Sequence, residues 1–396
     1  MIRYLTAGES HGPELTGIVE GVPAGVEITS EYLSKHLIRR QEGYGRGGRM
    51  AFEKDLVSIR SGVRFSKAMG GPISLHLNNK AWEKDAANWP VTMAISGEDP
   101  GVEKITLPRP GHADLVGVQK YNFDDVRPVI ERSSARETAM RVACCGVARQ
   151  FLEALGIQIG GHVIRIGAHG YHDWEEIRAI SDALIEKGAN HLYETADESD
   201  VRCLDPELTK KMVDEIKVRR KEGSSLGGVY EIVITGLPAG LGSYVHWDRK
   251  LDGQIAQAIV SIQAMKGVQI GLGFEAGARA GHEVHDAIIK HPSNPKRYSR
   301  TTNRAGGLEG GVTTGMPLIV QGVMKPIPTM LNPIGTIDIA SGEATATRYE
   351  RSDVCALPRA VVVAESVLAV VIANAVLEKF GGDSLSEIKQ RFEAIS

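Results

Sequence analysis

The pentapeptide Gly21-Val-Pro-Ala-Gly25 returns as Gly236-Leu-Pro-Ala-Gly240, each time after a strand-like run, Leu15 to Val19 and Tyr230 to Thr235. Two more pairs follow in the same order. Gly71-Pro72-Ile73 opens an alternating run that ends at Lys80, and Met316-Pro317-Leu318 opens one that ends at Lys325. Both lysines therefore follow their proline at the same interval. Val147-Ala-Arg-Gln-Phe-Leu-Glu-Ala-Leu-Gly156 is then echoed by Ile372-Ala-Asn-Ala-Val-Leu-Glu-Lys-Phe-Gly381. The spacing predicts two similar halves, roughly 1–160 and 228–385, with a middle insertion of about 157–226. No linker-like stretch divides them, so one domain over 1–396 with a shared core is expected.

Strands are expected at Asp55–Val63, Ile73–Leu77, Val229–Thr235, Val268–Leu272 and Leu318–Val323. Helices are expected at Ser30–Gln41, Ser134–Leu155, Asp248–Met265 and Pro358–Phe380, with amphipathic ones at Glu175–Lys187 and Pro206–Glu222. Runs of strands, without a strict strand–helix alternation, favour an α+β sandwich over a doubly wound parallel sheet.

Of the 396 residues 45 are glycine and only 5% are aromatic, a pairing that suggests tight turns and close backbone approaches. The formal net charge of -3 excludes a global field aimed at nucleic acid or anionic membrane. Cys144, Cys145, Cys203 and Cys355 lack a C-x-x-C spacing and read as reduced, buried thiols of a cytoplasmic protein. The N-terminus shows no basic region followed by an apolar core, so no signal peptide is expected. Val361 to Leu377 is apolar almost all round, but it is short for a span and carries Glu365, Ser366 and Asn374. It reads as a central core helix.

The chemistry-bearing clusters share one character. Gly8-Glu9-Ser10-His11-Gly12 sets a histidine between glycines, and Arg109-Pro-Gly-His112-Ala-Asp114 sets a second one after an arginine. Histidine moves protons near neutral pH. Arg39-Arg40-Gln-Glu-Gly-Tyr44-Gly-Arg46-Gly-Gly-Arg49 packs arginines among glycines, which suits a phosphate or carboxylate. Glu131-Arg132-Ser133-Ser134-Ala135-Arg136-Glu137-Thr138 precedes a long helix, where a serine cap and free amides suit an anion. Lys325-Pro-Ile-Pro-Thr329 holds a lysine on extended backbone, and Arg351-Ser352-Asp353 sets a carboxylate beside an arginine. Together they call for a small, highly anionic ligand with proton transfer nearby.

Other signals are weak. Gly271-Leu-Gly273-Phe-Glu-Ala276 has the letters of a dinucleotide fingerprint, without the acidic residue expected downstream. His282-Glu-Val-His285 lacks the zinc spacing, and no metal is expected.

Gly8 to Pro13 with Glu20 to Pro23, Arg132 to Thr138, and Arg351 to Cys355 resemble the signature motifs of the chorismate synthase family. Arg40 to Met50 and Lys325 to Thr329 match as well, and the resemblance runs from Arg3 to about Gly381. The resemblance implies a β-α-β sandwich with internally duplicated halves, central helices between antiparallel sheets, and a homotetramer. It implies a lyase that eliminates phosphate from 5-enolpyruvylshikimate 3-phosphate to give chorismate, using reduced FMN without net redox change. That reaction is the last step of the shikimate pathway to aromatic amino acids. By the same resemblance Arg40, Arg46, Arg49, Arg109, Arg136, Lys325 and Arg351 hold the substrate, and His11 and His112 donate protons. Asp353 helps to take a proton from the flavin. Arg132, Ser133, Ser134, Gln263, Ala264, Gly310, Lys325, Pro326, Ile327, Pro328, Thr329 and Arg351 contact FMN. Arg40 and Arg46 are the nominal NADP contacts, although an external flavin reductase is the expected source of reduced flavin.

Two readings from other classes compete. An RNA-binding module would use the Arg-Gly patch, but that patch is single, compact and carries only Tyr44 for stacking. A nicotinamide-dependent oxidoreductase would rest on the Gly271 fingerprint alone.

Overall fold

A computed structural model describes residues 1–45, 55–292, 294–348 and 353–394. Four strands form the first sheet: β1 (Arg3–Ala7), β2 (Glu14–Glu20), β3 (Ser58–Ser61) and β4 (Ile73–Asn78), in the order β1-β2-β4-β3. The second sheet holds β5 (Gln158–Ile166), β6 (His169–Gly170), β7 (Gly228–Thr235), β8 (Met265–Ile270) and β9 (Leu318–Met324), in the order β8-β9-β7-β5-β6. All pairings in both sheets are antiparallel. Leaving aside the short β6, each sheet runs first, second, fourth and third strand in chain order.

Helices lie between the sheets. The helix α1 (Ser30–Gln41) starts where the Thr29 hydroxyl accepts from the Tyr32 amide at 3.2 Å. Three helices of seven residues or more follow in the first half: α2 (Asp114–Tyr121), α3 (Arg127–Ser133) and α4 (Glu137–Glu153). In the second half come α5 (Trp174–Ile185), α6 (Ala189–Asp197), α7 (Pro206–Lys221), α8 (Leu251–Val260) and α9 (Leu357–Phe380). The helix α4 packs on β1, β2 and β4, α9 packs on β5 and β7, and the two helices pack on each other. Gly17 of β2 lies so close to Cys144 and Met140 of α4 that a Cβ would collide with both sulfurs. Gly161 of β5 likewise leaves no room for a Cβ beside Ile232 and Val361 of α9. One hydrophobic core crosses from sheet to sheet through these helices. Each of its fully buried Val, Leu or Ile side chains contributes roughly 1.5–3 kcal/mol.

The apolar helix α9 is long enough to cross a membrane, yet 78% of its most apolar stretch is buried in this core. At its centre Glu365 is fully buried, between Arg39 (2.7 and 3.1 Å) and Arg149 (2.8 Å). Burial would raise its pKa, but the two guanidiniums outweigh that and hold it below its ordinary value. All four cysteines are free and buried, and burial pushes the Cys355 thiol up to about 11.

Several boundaries differ from the sequence expectation. The segment expected as an insertion begins with β5, a central strand, so only α5, α6 and α7 stand between β6 and β7 as added structure. The strand is buried on both faces, and Gln158-Ile-Gly-Gly-His-Val-Ile-Arg-Ile166 shows no apolar–polar alternation to mark it. The helix expected over Ser134–Leu155 is α4, which starts only at Glu137 because Ser134 takes an extended ψ of 142, with α3 as a separate helix before it. The expected Asp248–Met265 helix shrinks to α8, with Ala264 beyond it at a φ of 66. The expected Asp55–Val63 strand ends at Ser61, because Gly62 turns the chain at a φ of +84.

Candidate active site

His11 sits in the turn between β1 and β2. Asn79, fully buried after β4, holds that turn by donating to the carbonyls of Glu9 (3.1 Å) and Gly12 (2.8 Å). The ring stacks on Trp89 at 3.9 Å with an interplanar angle of 14°. Its Nδ1 meets the buried Glu131 carboxylate of α3 at 2.9 and 3.2 Å. The same carboxylate accepts from the His11 amide at 2.8 Å.

The break between α3 and α4 lies beside this turn. The Ser134 hydroxyl donates to the Ser10 hydroxyl at 3.1 Å and accepts from the Arg136 amide at 3.2 Å. Ser134 therefore does not cap α4, contrary to the sequence expectation; the cap position is Arg136, without a side-chain cap bond. The break frees the Ala135 carbonyl, which accepts from Arg40 at 2.9 Å. Arg136 donates to Asn79 at 2.9 Å and to Asp55 at 2.6 Å, and Arg40 lies 3.6 Å from the same Asp55. Arg40, Arg136 and Asp55 are all buried, so this cluster is charged and desolvated.

The second histidine corner precedes α2. His112 Nδ1 lies 2.5 Å from Asp114, which is fully buried, and Arg109 reaches the same carboxylate at 2.8 Å through Nε. Burial would raise the Asp114 pKa, but the hydrogen bonds from His112 and Arg109 outweigh it and hold the carboxyl well below its ordinary value. Arg109 also donates to Thr329 at 3.0 Å, and Lys325 Nζ donates to the Gly111 carbonyl. Thus the Lys325–Thr329 segment, from the second half of the chain, closes on the Arg109–Asp114 turn of the first. The helices α2 and α3 pack together where Gly117 meets Val129, so both corners ride on one helical pair.

A third group joins the ends of β1, α4 and β8. Arg132 donates to the Thr6 carbonyl at 2.9 Å and to that of Gly8 at 3.3 Å. Thr6 donates to Glu137 at 2.9 Å, and Gln263 donates to Glu137 at 3.2 Å. Ala264 accepts from the Lys325 amide at 3.0 Å. Ser133 turns away to donate to its own helix at Val129 (2.6 Å).

Gly310 stands apart. It precedes Gly311, whose carbonyl receives the first amide of α8, whereas Gln263 and Ala264 follow the last turn of that helix. Ten residues of helix separate them by about 15 Å. Asp353 accepts from Arg359 at the entry to α9. Arg46, Arg49 and Arg351 lie outside the described residues. The flanks of their segments meet, because the Val354 amide donates to the Gly45 carbonyl at 2.9 Å. Gly271 and Gly273 lead into a short 3-10 turn, not the helix a dinucleotide site needs.

The comparisons with known proteins show the family. The family model described as chorismate synthase matches residues 2–377. The chain belongs to the chorismate synthase family. A chorismate synthase of Salinibacter ruber is 56% identical, with the alignment covering 100% of this chain and 98% of that protein. One from Geobacillus thermodenitrificans is 52% identical over 99% and 98%. A crystal structure of chorismate synthase superposes with a TM-score of 0.78 at 41% identity, covering 99% of this chain and 96% of that one. The chain is accordingly a lyase that removes phosphate from 5-enolpyruvylshikimate 3-phosphate to form chorismate. Chorismate synthases use a flavin, and the residues fit one: Gln263 Oε1 is buried without a hydrogen-bond partner, and Gln263 shares Glu137 with Thr6, which also accepts from the exposed Arg132 guanidinium.

Sequence reading did not assign roles to Glu131, Asp114, Asn79, Asp55 or Trp89. Asp114 had a local signal, being two residues from His112. The others are brought in by pairings across the fold.

Proposed function

We propose that the cleft between the two histidine corners binds 5-enolpyruvylshikimate 3-phosphate, with Arg40, Arg109, Arg136 and Lys325 as its anion clamp. Arg46, Arg49 and Arg351 belong to the same clamp by motif. The observations that support the reading are that Arg136 bonds Asn79, which holds the His11 turn, while Arg109 shares Asp114 with His112 and Lys325 reaches the same turn at Gly111. Guanidiniums fixed by buried partners bind anions without reorganising, which favours the transition state as phosphate leaves.

In this reading His11 and His112 supply protons, to flavin or to the departing phosphate, and Asp353 accepts one at the entry to α9. The Ser10–Ser134 pair adds a hydroxyl bridge between the His11 turn and the α3–α4 break. Arg132, Ser133, Ser134, Gln263, Ala264 and the Lys325–Thr329 segment hold FMN, with Gly310 and Arg351 as further contacts. Reduced FMN, when bound, supplies an electron to the substrate and takes it back, so the reaction has no net redox change.

The enzyme is proposed to work in the cytoplasm as a homotetramer, fed by a separate flavin reductase, with Arg40 and Arg46 as the nominal NADP contacts. The shared strand order of the two sheets supports a duplicated origin for one domain, with repeats that begin at β1 and β5. The test is an anaerobic assay with purified protein, the substrate and chemically reduced FMN. Chorismate should form, and a folded sample that forms none would overturn the reading.

A further inference from the structure

We propose that Glu131 is the positioning residue of His11 and fixes Nε2 as the nitrogen through which that histidine moves its proton. The inference rests on the proton-donor reading of His11 given above.

Glu131 grips the turn in four ways. Its carbonyl accepts from the Ser10 amide at 3.1 Å, and its carboxylate accepts from the His11 amide at 2.8 Å. The same carboxylate meets the ring Nδ1 at 2.9 and 3.2 Å. The Glu131 side chain is 1% exposed, so these contacts do not compete with water. Trp89 covers one face of the ring at 3.9 Å, which leaves rotation about the side chain blocked on two sides. A carboxylate only accepts, so Nδ1 must carry the hydrogen in this pair. Any proton that His11 gives up or takes then passes through Nε2.

The test is a cycle of Glu131→Gln, His11→Ala and the double variant, assayed anaerobically with reduced FMN. Glu131→Gln keeps the shape but can donate to Nδ1 and carries no charge. Its kcat should fall about 10- to 100-fold, the scale of losing a group that orients a working histidine, with KM for the substrate within about twofold. Glu131→Asp should restore part of kcat, and it serves if Glu131→Gln does not fold. In the double variant, adding Glu131→Gln should cost nothing beyond His11→Ala. An unchanged kcat in Glu131→Gln, or a further loss on top of His11→Ala, would overturn the proposal. Full turnover in His11→Ala would instead overturn the proton-donor reading on which it rests.

Discussion

The two histidine corners solve one problem by different routes. His112 takes its carboxylate from two residues away, whereas the Glu131 that holds His11 is 120 residues distant. The His112 pair is thus built into a single turn and shares Asp114 with Arg109, so histidine and arginine move as one unit. The His11 pair exists only if β1, β2 and α3 are docked. A local pair survives loosening of the fold better than one assembled by tertiary contacts.

The strongest break of this comparison is removal of each ring. His11→Ala and His112→Ala should each lower kcat by about 10²- to 10⁴-fold with much smaller changes in KM. Stopped-flow turnover with reduced FMN measures both, and a change confined to KM would assign that corner to binding alone.

Next is Arg136→Ala, which leaves buried Asp55 without its 2.6 Å partner beside the His11 turn. Unfolding in denaturant should show a loss of about 3–5 kcal/mol, because the remaining carboxylate is desolvated. A loss under about 1 kcal/mol would show that Arg40 alone satisfies Asp55.

Asp114→Asn sharpens the comparison at the local corner. The variant should lose about 1–3 kcal/mol near neutral pH, since Arg109 and His112 keep weaker bonds to the amide. Asp114 has a folded pKa below its unfolded value, so its stabilisation is complete above about pH 4 and fades as pH falls below that. Melting curves at stepwise lower pH should therefore bring wild type and Asp114→Asn together on the acid side. A gap that widens in acid would contradict the pairing.

Arg132→Ala should be the mildest change. Arg132 is exposed, so stability should shift by about 0.5 kcal/mol or less. Flavin titration should still show weaker FMN binding, and unchanged affinity would remove Arg132 from the flavin contacts.

The legible parts of the fold were those with local signals. The Ser30–Gln41 helix begins at a local cap, Thr29, and the Pro358–Phe380 helix follows a long, mostly apolar run. The turn at Ser134 was not legible, because a serine there reads as the cap of the long helix, whereas its docking on Ser10 leaves that helix to begin at Glu137. Nor was β5, whose apolar residues follow no strand-like alternation. Asp55 and Asn79 read as ordinary loop residues until the fold set them against Arg136.

By itself the sequence determined the cations, the histidines and the family, since these lie in short motifs that need no partner to be read. The tertiary structure alone decided which carboxylate faces which histidine and which nitrogen of His11 is left to carry the proton. The physical reason is burial. A carboxylate orients a ring only when water is excluded from both, and exclusion is a property of the packed sheets and helices, not of any one segment.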